Sequence, residues 1–323
     1  MNKNIDISQY IGMSQSIAIF GMYLPDHIEQ YCGLHIITAD MAVSASLERL
    51  SYQYAESLTN VGIAEQNMIG IAAGMASEGF KPICIAQASF ISMRAFEMNR
   101  QYLGYMHSNI KLIGLNSGFL LQFMGNTHYC IEDLSIMQTI PNMVVLSPAD
   151  AVEAVMALDA ALRIDSPVYI RLTGNSMLPV VYKEPFCYQI GINHILKDGN
   201  DLAIFATGSM VGISLETSKI LYTKYGIMAA VIDVHTIKPI DTEAINKYAG
   251  VKLFVSVEEH NIIGGLGSSI ADYISQKGSY PPLLKFGICD VFSKPGDYNY
   301  LLEQHCLTPI LLSEKIYQKY SSL

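Results

Sequence analysis

Two α/β units, each with a mostly parallel sheet flanked by helices, are the fold class this sequence predicts. Three observations carry that expectation. Short β-branched or apolar runs alternate with helical patterns along the chain, the signature of βαβ units and parallel sheets. The alternation pauses over 175–190, where Pro179 and Pro185 stand in a stretch of mixed polarity without a clean period. A length of 323 residues, against the ~150 of a common domain, gives about two domains. The boundary is placed near Pro185, giving units 1–184 and 185–323.

The elements follow in order. The least charged stretch near the start, 10–25, includes Ser14, Gln15 and Ser16 and ends without a small-residue cleavage site, so it is read as a helix rather than a signal peptide. Strands of the first unit are expected at 35–38, 82–86, 111–115, 143–146 and 168–172, and of the second at 202–207, 228–234, 253–257 and 284–288. Between the first two, the run NVGIAEQNMIGIAAGMASEG (60–79) has Met68, Ala72 and Met75 at helical spacing, with small Gly70, Ala73 and Gly74 permitting close contact. This helix is expected to be nearly wholly buried.

Composition narrows the function. Hydrophobic residues are 50% and charged residues 15%, which excludes disorder and points to a surface covered in part by a partner subunit. Twenty Lys and Arg against twenty-nine Asp and Glu give a net charge of -9, which repels a phosphate backbone and disfavours nucleic acid. Cys32, Cys84, Cys130, Cys187, Cys289 and Cys306 are dispersed with no C-x-x-C, so neither a zinc ribbon nor a disulfide framework is written, and a reducing compartment fits. No apolar run reaches the ~18 residues of a membrane span. A cytoplasmic location is expected.

Glu65 opens the 60–79 helix. An acidic residue there is ordinarily explained by the helix dipole. The competing explanation is a buried carboxyl set against a cofactor, where desolvation raises its proton affinity and lets it share a proton with a ring nitrogen. The surrounding run resembles the helix of the transketolase family's pyrimidine-binding domain that carries the glutamate for thiamine diphosphate. Further stretches resemble the same family in the same order: THYCIEDLSIMQTIPNMVVLSPAD from Thr127, IDVHTIKPID from Ile232, VEEHNIIGGLGSSIAD from Val257 and GICDVFSKPGDYNYLLEQHCLT. Together they span Asp40 to Thr308. The resemblance implies a pyrimidine-binding domain followed by a transketolase C-terminal domain.

A full-length transketolase also carries a preceding domain that binds the diphosphate through Mg²⁺, marked by G-D-G and a downstream Asn. That motif is absent here; Lys197-Asp198-Gly199-Asn200 and Pro295-Gly296-Asp297 are read as turns. The resemblance therefore implies the C-terminal subunit of a split transketolase, with an N-terminal subunit holding the diphosphate and Mg²⁺, in a heterotetramer.

It also implies roles for individual residues. Glu65 matches the glutamate that bonds the cofactor's pyrimidine nitrogen, and Phe90 the ring that stacks on it. Gln87 stands where relatives commonly place a second aromatic. Asp40 aligns with an acidic residue facing the cofactor, a helix cap being its alternative, and Ser44 with a position near substrate. His128 matches the histidine that contacts donor oxygens beside the reacting carbon. Arg171 corresponds to an arginine that binds substrate phosphate, with a structural ion pair as its alternative. Arg94 is read as a structural ion pair. His235, Glu258, Glu259 and His260 are expected to fix turns and the subunit interface, not to hold metal.

The implied activity is transfer of a two-carbon ketol or related unit from a ketose-like donor to an aldehyde. A pyruvate-type donor and a non-catalytic scaffolding subunit are the alternatives. Two departures bear on substrate: Met124 stands where relatives have an aspartate for a donor hydroxyl, and Asn116 where they have a histidine. A pocket without those polar partners should not reward a hydroxylated donor, because each unpaired hydroxyl costs ~1 to 3 kcal/mol. A deoxygenated or otherwise non-standard donor is expected.

Overall fold

The computed structural model describes residues 5–173 and 179–323. The first sheet holds β1 (Leu34–Thr38), β2 (Leu58–Asn60), β3 (Lys81–Gln87), β4 (Lys111–Leu115), β5 (Val144–Leu146) and β6 (Val168–Arg171). The second holds β7 (His194–Lys197), β8 (Leu202–Ala206), β9 (Ala229–Asp233), β11 (Leu253–Asn261) and β12 (Leu283–Ile288). With β10 spanning Thr236–Lys238, their orders are β10-β5-β6-β4-β3-β1-β2 and β12-β11-β8-β9-β7. The pairings are parallel except at β7 and at β10. Strands such as β4, β8 and β9 are buried along their whole length, because helices cover both faces of a parallel sheet and make an unbroken apolar run the stable pattern.

The two units are stitched together. β10 comes from the second half of the chain yet pairs antiparallel with β5, placing Thr236 opposite Leu146. Glu258 caps the helix Leu266–Ser275, accepting from the backbone N–H of Leu266 at 2.7 Å and of Gly267 at 2.9 Å. Gly265 must lack a side chain here, since a Cβ would overlap the Glu258 carboxylate. Glu259 accepts from the Phe119 N–H at 2.6 Å and the Tyr298 hydroxyl at 2.6 Å, and also from Ser209. His260 Nε2 accepts from the Ser135 N–H at 3.3 Å. All three, with His235, are buried inside the chain. The expectation that they shape a subunit interface is therefore corrected: they fix turns and join the two units of one chain.

Two helices differ from expectation. The first is helical from residue 15 rather than 10, with a wide π-type turn over Ile17–Tyr23. Gln15 anchors it, donating to the Pro148 carbonyl at 2.9 Å and accepting from the Thr173 N–H at 2.8 Å. The second runs Glu65–Ser77 and buries only the face of Glu65, Met68, Ile69, Ala72 and Ala73. Gln66, Asn67, Ile71 and Gly74 are exposed, and nothing lies within 4 Å of a Cβ built on Gly70 or Gly74. Ala73 is on the buried face, whereas Gly70 and Gly74, which also promised close contact, lie where no described residue of this chain packs.

A buried polar cluster sits at the junction. The Cys187 carbonyl, 3.0 Å from His194 Nε2, can only accept, so that nitrogen donates. Tyr182 has one hydroxyl proton, yet its oxygen lies 2.7 Å from both His194 Nδ1 and Asp233 Oδ2. The chain closes only if His194 is doubly protonated or Asp233 carries a proton. Beside them Glu153 is fully buried and accepts from the Ala149 N–H at 2.7 Å. Burial pushes Asp233 up to about 7, with the like charge of Asp150 adding to it, and raises Glu153 as well.

Among the described residues, Glu153, His194 and His235 are the one grouping with metal-type donor atoms within 4.8 Å of one another. His235 Nε2 lies 2.9 Å from the Ile192 carbonyl and Nδ1 2.9 Å from Thr236 Oγ1, so both of its nitrogens, like those of His194, are already engaged. The cluster stores a proton instead. A carboxyl whose folded pKa exceeds its unfolded value holds its proton more tightly when folded, so its stabilisation is full in acid and is lost as pH rises from 3.8 to about 7. Urea melts of wild type and Asp233→Asn should accordingly favour the wild type below pH 5 and move toward the variant above pH 7. A stability difference that stays constant across that window would refute the stored proton.

Candidate active site

The carboxyl ends of β1, β2, β3 and β4 converge, the place where open parallel sheets bind ligands. Past β2, Asn60 Oδ1 accepts from the N–H groups of Gly62 and Asp40, each at 3.0 Å. Gly62 takes a left-handed φ of +74°, turning the chain into the helix whose first residue is Glu65. Glu65 is 3% exposed. Its Oε2 accepts from Arg94 Nη1 at 3.0 Å, and no hydrogen bond to its other oxygen is made among the described residues.

Past β3, the segment Phe90–Arg94 forms a wide π-type turn. Such turns recur at functional sites because the extra residue re-aims side chains. Here the turn brings the Arg94 guanidinium carbon to 4.1 Å from the centroid of the Phe90 ring. On the same ring His128 stands edge-on, with centroids 5.7 Å apart. Gln87 is buried and its Nε2 lies 3.4 Å from the His128 carbonyl oxygen. His128 Nδ1 is 2.9 Å from Thr127 Oγ1. Glu65, Arg94, Phe90, His128 and Gln87 thus form one connected group drawn from three chain segments.

The remaining candidates lie at varying distance from that group in the chain. Asp40 is exposed, takes a left-handed φ of 57° and exchanges hydrogen bonds with Asn60, its Oδ1 accepting at 3.2 Å. No helix starts behind it, so the capping alternative is not realised. Ser44 is exposed in the turn that follows. Asn116 is half-buried with a φ of 56°, directly past β4. Met124 is 55% exposed on the short turn Gln122–Met124.

Arg171 is corrected. It is 1% exposed, and its Nε donates to Asp133 Oδ1 at 3.1 Å and Oδ2 at 2.9 Å. Its Nη2 donates to the carbonyls of Cys130 at 3.1 Å and Glu259 at 2.8 Å. Nε and Nη2 are committed to internal acceptors between the two units, and a side chain this buried cannot clamp a substrate phosphate. The structural ion pair is what the fold builds. Reasoning from sequence missed two residues that matter: Asp133, within the motif from Thr127 and visible there as a charge beside apolar Leu134, and Asn60, the tie between Asp40 and the Glu65 loop.

A buried carboxylate with one open oxygen, a half-buried phenyl ring and an amide wall suit a flat aminopyrimidine. The group offers no cluster of carboxylates for a metal among the described residues. The arrangement is a candidate ligand surface at the carboxyl edge of a parallel sheet.

Comparison with known proteins agrees. Residues 15–177 match the transketolase pyrimidine-binding domain and residues 191–310 the transketolase C-terminal domain. The chain is 35% identical over 312 residues to a transketolase C-terminal section of Methanocaldococcus jannaschii, covering 96% of each. It is 36% identical to a 6-deoxy-6-sulfo-D-fructose transketolase subunit of a Clostridium species, covering 84% of each. A split-gene transketolase solved as an inactive beta4 tetramer superposes with a TM-score of 0.86 at 34% identity, covering 96% of this chain and 99% of that one. This chain belongs to the transketolase family, whose enzymes depend on thiamine diphosphate, and it carries the family's pyrimidine-binding and C-terminal domains. No helix among the described residues is long and apolar enough to cross a membrane.

Proposed function

We propose that this chain is the pyrimidine-binding subunit of a two-component transketolase that moves a two-carbon ketol unit from a ketose-like donor to an aldehyde. An N-terminal subunit completes a heterotetramer and holds the diphosphate and Mg²⁺. The domain division lies at 184/185. The observation that carries the reading is the buried Glu65 carboxylate, paired on one oxygen and open on the other, beside Phe90.

When bound, thiamine diphosphate supplies a nucleophilic thiazolium carbon. This chain's own residues would hold and orient it. Glu65 shares a proton with the pyrimidine nitrogen, and Phe90 packs on the ring with Gln87 as a second wall. Asp40 lines the cofactor side of the β1 and β2 ends. His128, on the edge of Phe90, would donate a hydrogen bond to a donor oxygen that gains negative charge. Ser44, Asn116 and Met124 border the substrate.

The donor is non-standard in this reading. Arg171 is buried, so this chain keeps no phosphate reader among the residues matched to the family, and Met124 offers no hydroxyl partner. The Clostridium relative, named for a sulfo-deoxy sugar, supports departure from ordinary pentose phosphates. The purified chain with Mg²⁺ and thiamine diphosphate should show no turnover, and addition of the N-terminal subunit should restore it. Robust turnover by the chain alone would overturn the reading. On the restored pair, a clear kcat/KM preference for xylulose 5-phosphate over deoxy, sulfo and pyruvate-type donors would sink the substrate assignment, whereas Met124→Asp should shift preference toward that sugar.

A further inference from the structure

We propose that Arg94 is a positioning residue that clamps Glu65 so that a single carboxylate oxygen is presented to the pyrimidine. The inference rests on the role given to Glu65 above. Three ties hold the 90–94 turn against the first turn of the Glu65 helix. Arg94 Nη1 donates to Glu65 Oε2 at 3.0 Å. The same guanidinium lies 4.1 Å from the Phe90 ring centroid. The Arg94 carbonyl accepts from Gln66 Nε2 at 3.1 Å, so the arginine backbone is itself fixed to the helix it serves.

The pairing is lopsided, and that is informative. The Arg94 side chain is 46% exposed while that of Glu65 is 3% exposed. An ion pair half in water contributes little to folding. Its geometric consequence is larger. A carboxylate with no other side-chain partner rotates about its last bond, and its two oxygens exchange. Clamping Oε2 ends that freedom and assigns Oε1 to the ligand, the preorganisation that precise proton sharing requires. One planar cation also ties the carboxylate to the ring expected to stack on the cofactor, so the acid and the stacking surface are held as a unit. Lysine can supply the charge but not the flat face that stacks on Phe90 while bonding Glu65.

The test uses the reconstituted two-subunit enzyme, with Arg94→Met and Arg94→Lys made in wild-type and Glu65→Gln backgrounds. Thiamine diphosphate affinity is measured by calorimetry, and proton exchange at the thiazolium carbon by NMR. In the wild-type background Arg94→Met should slow exchange roughly 10–100-fold, the effect of losing a hydrogen bond to a charged group, and weaken cofactor binding. Arg94→Lys should recover part of the loss. In the Glu65→Gln background Arg94→Met should add little, because its effect passes through the carboxylate, whereas a merely structural role would subtract equally in both. Wild-type exchange and affinity in Arg94→Met, or equal losses in both backgrounds, would overturn the proposal. If Glu65→Gln alone exchanges normally, it is the role of Glu65 that falls, and the two failures are distinguishable. Should Arg94→Met fail to assemble, the comparison rests on Arg94→Lys in the same two backgrounds.

Discussion

Glu65→Gln in the reconstituted enzyme is expected to leave folding and subunit assembly intact and to slow proton exchange at the thiazolium carbon by about 10²–10⁴-fold, the usual contribution of a positioned proton-transfer group. The amide keeps the size of the carboxylate, so the packing of the helix through its buried Met68 and Ile69 is preserved. It also keeps an oxygen toward Arg94 Nη1, so the tie to the 90–94 turn survives in weaker, uncharged form. What it cannot do is exchange a proton with a ring nitrogen. The chemical defect is therefore separable from stability: a thermal shift of a degree or two beside a loss of three orders of magnitude in exchange is the expected pattern. Near-normal exchange would remove Glu65 from the mechanism and leave the helix-dipole explanation standing.

How much of this was legible before the structure depends on what kind of information each residue carries. The strands β1, β3, β4, β8 and β9 announce themselves because burial on both faces demands continuous apolar runs. The elements β2, β7 and β10 were not anticipated: each has three or four residues, at least one of them partly exposed, and such segments show neither a run nor an alternation. β10 is further hidden because its partner β5 lies some ninety residues away in the chain, a pairing no local pattern encodes. Motif identity singled out Glu65, Phe90 and His128, which the fold brings into one connected group. It could not reveal that Arg94 pairs with Glu65, since that contact depends on a π-type turn that leaves no signature in helical periodicity. Nor could the string Tyr169-Ile170-Arg171-Leu172 tell a phosphate clamp from a buried pair, because Asp133, which decides it, comes from another element. The half-exposed Glu65 helix failed for the opposite reason: Gly70 and Gly74 signal close packing, and no described residue packs against them.

The fate of Arg171 leads to the second large effect. Arg171→Met should destabilise the chain by about 3–5 kcal/mol, since removing one partner leaves the Asp133 carboxylate buried without its cation. Asp133 is fully buried, and the Tyr169 hydroxyl, donating to its Oδ2 at 2.7 Å, offers a hydrogen bond but no compensating charge. The loss extends beyond the pair, because Nη2 also satisfies the Cys130 and Glu259 carbonyls, one from each unit, and those acceptors would be stranded at the junction. Arg171→Lys should rescue little: a single ammonium cannot reach the carboxylate and both carbonyls that the planar fork spans. Adding Asp133→Asn to Arg171→Met should recover part of the stability by removing the orphaned charge, a non-additivity that identifies the two as one interaction. Denaturant melts of these three variants beside wild type and Asp133→Asn alone measure this directly. The same set discriminates the phosphate-binding alternative, which predicts normal melting with a raised KM confined to phosphorylated donors. A stably folded Arg171→Met chain with that kinetic defect would return Arg171 to the substrate. Loss of the unfolding midpoint, with unchanged KM in whatever fraction remains folded, would establish it as the bolt between the two units.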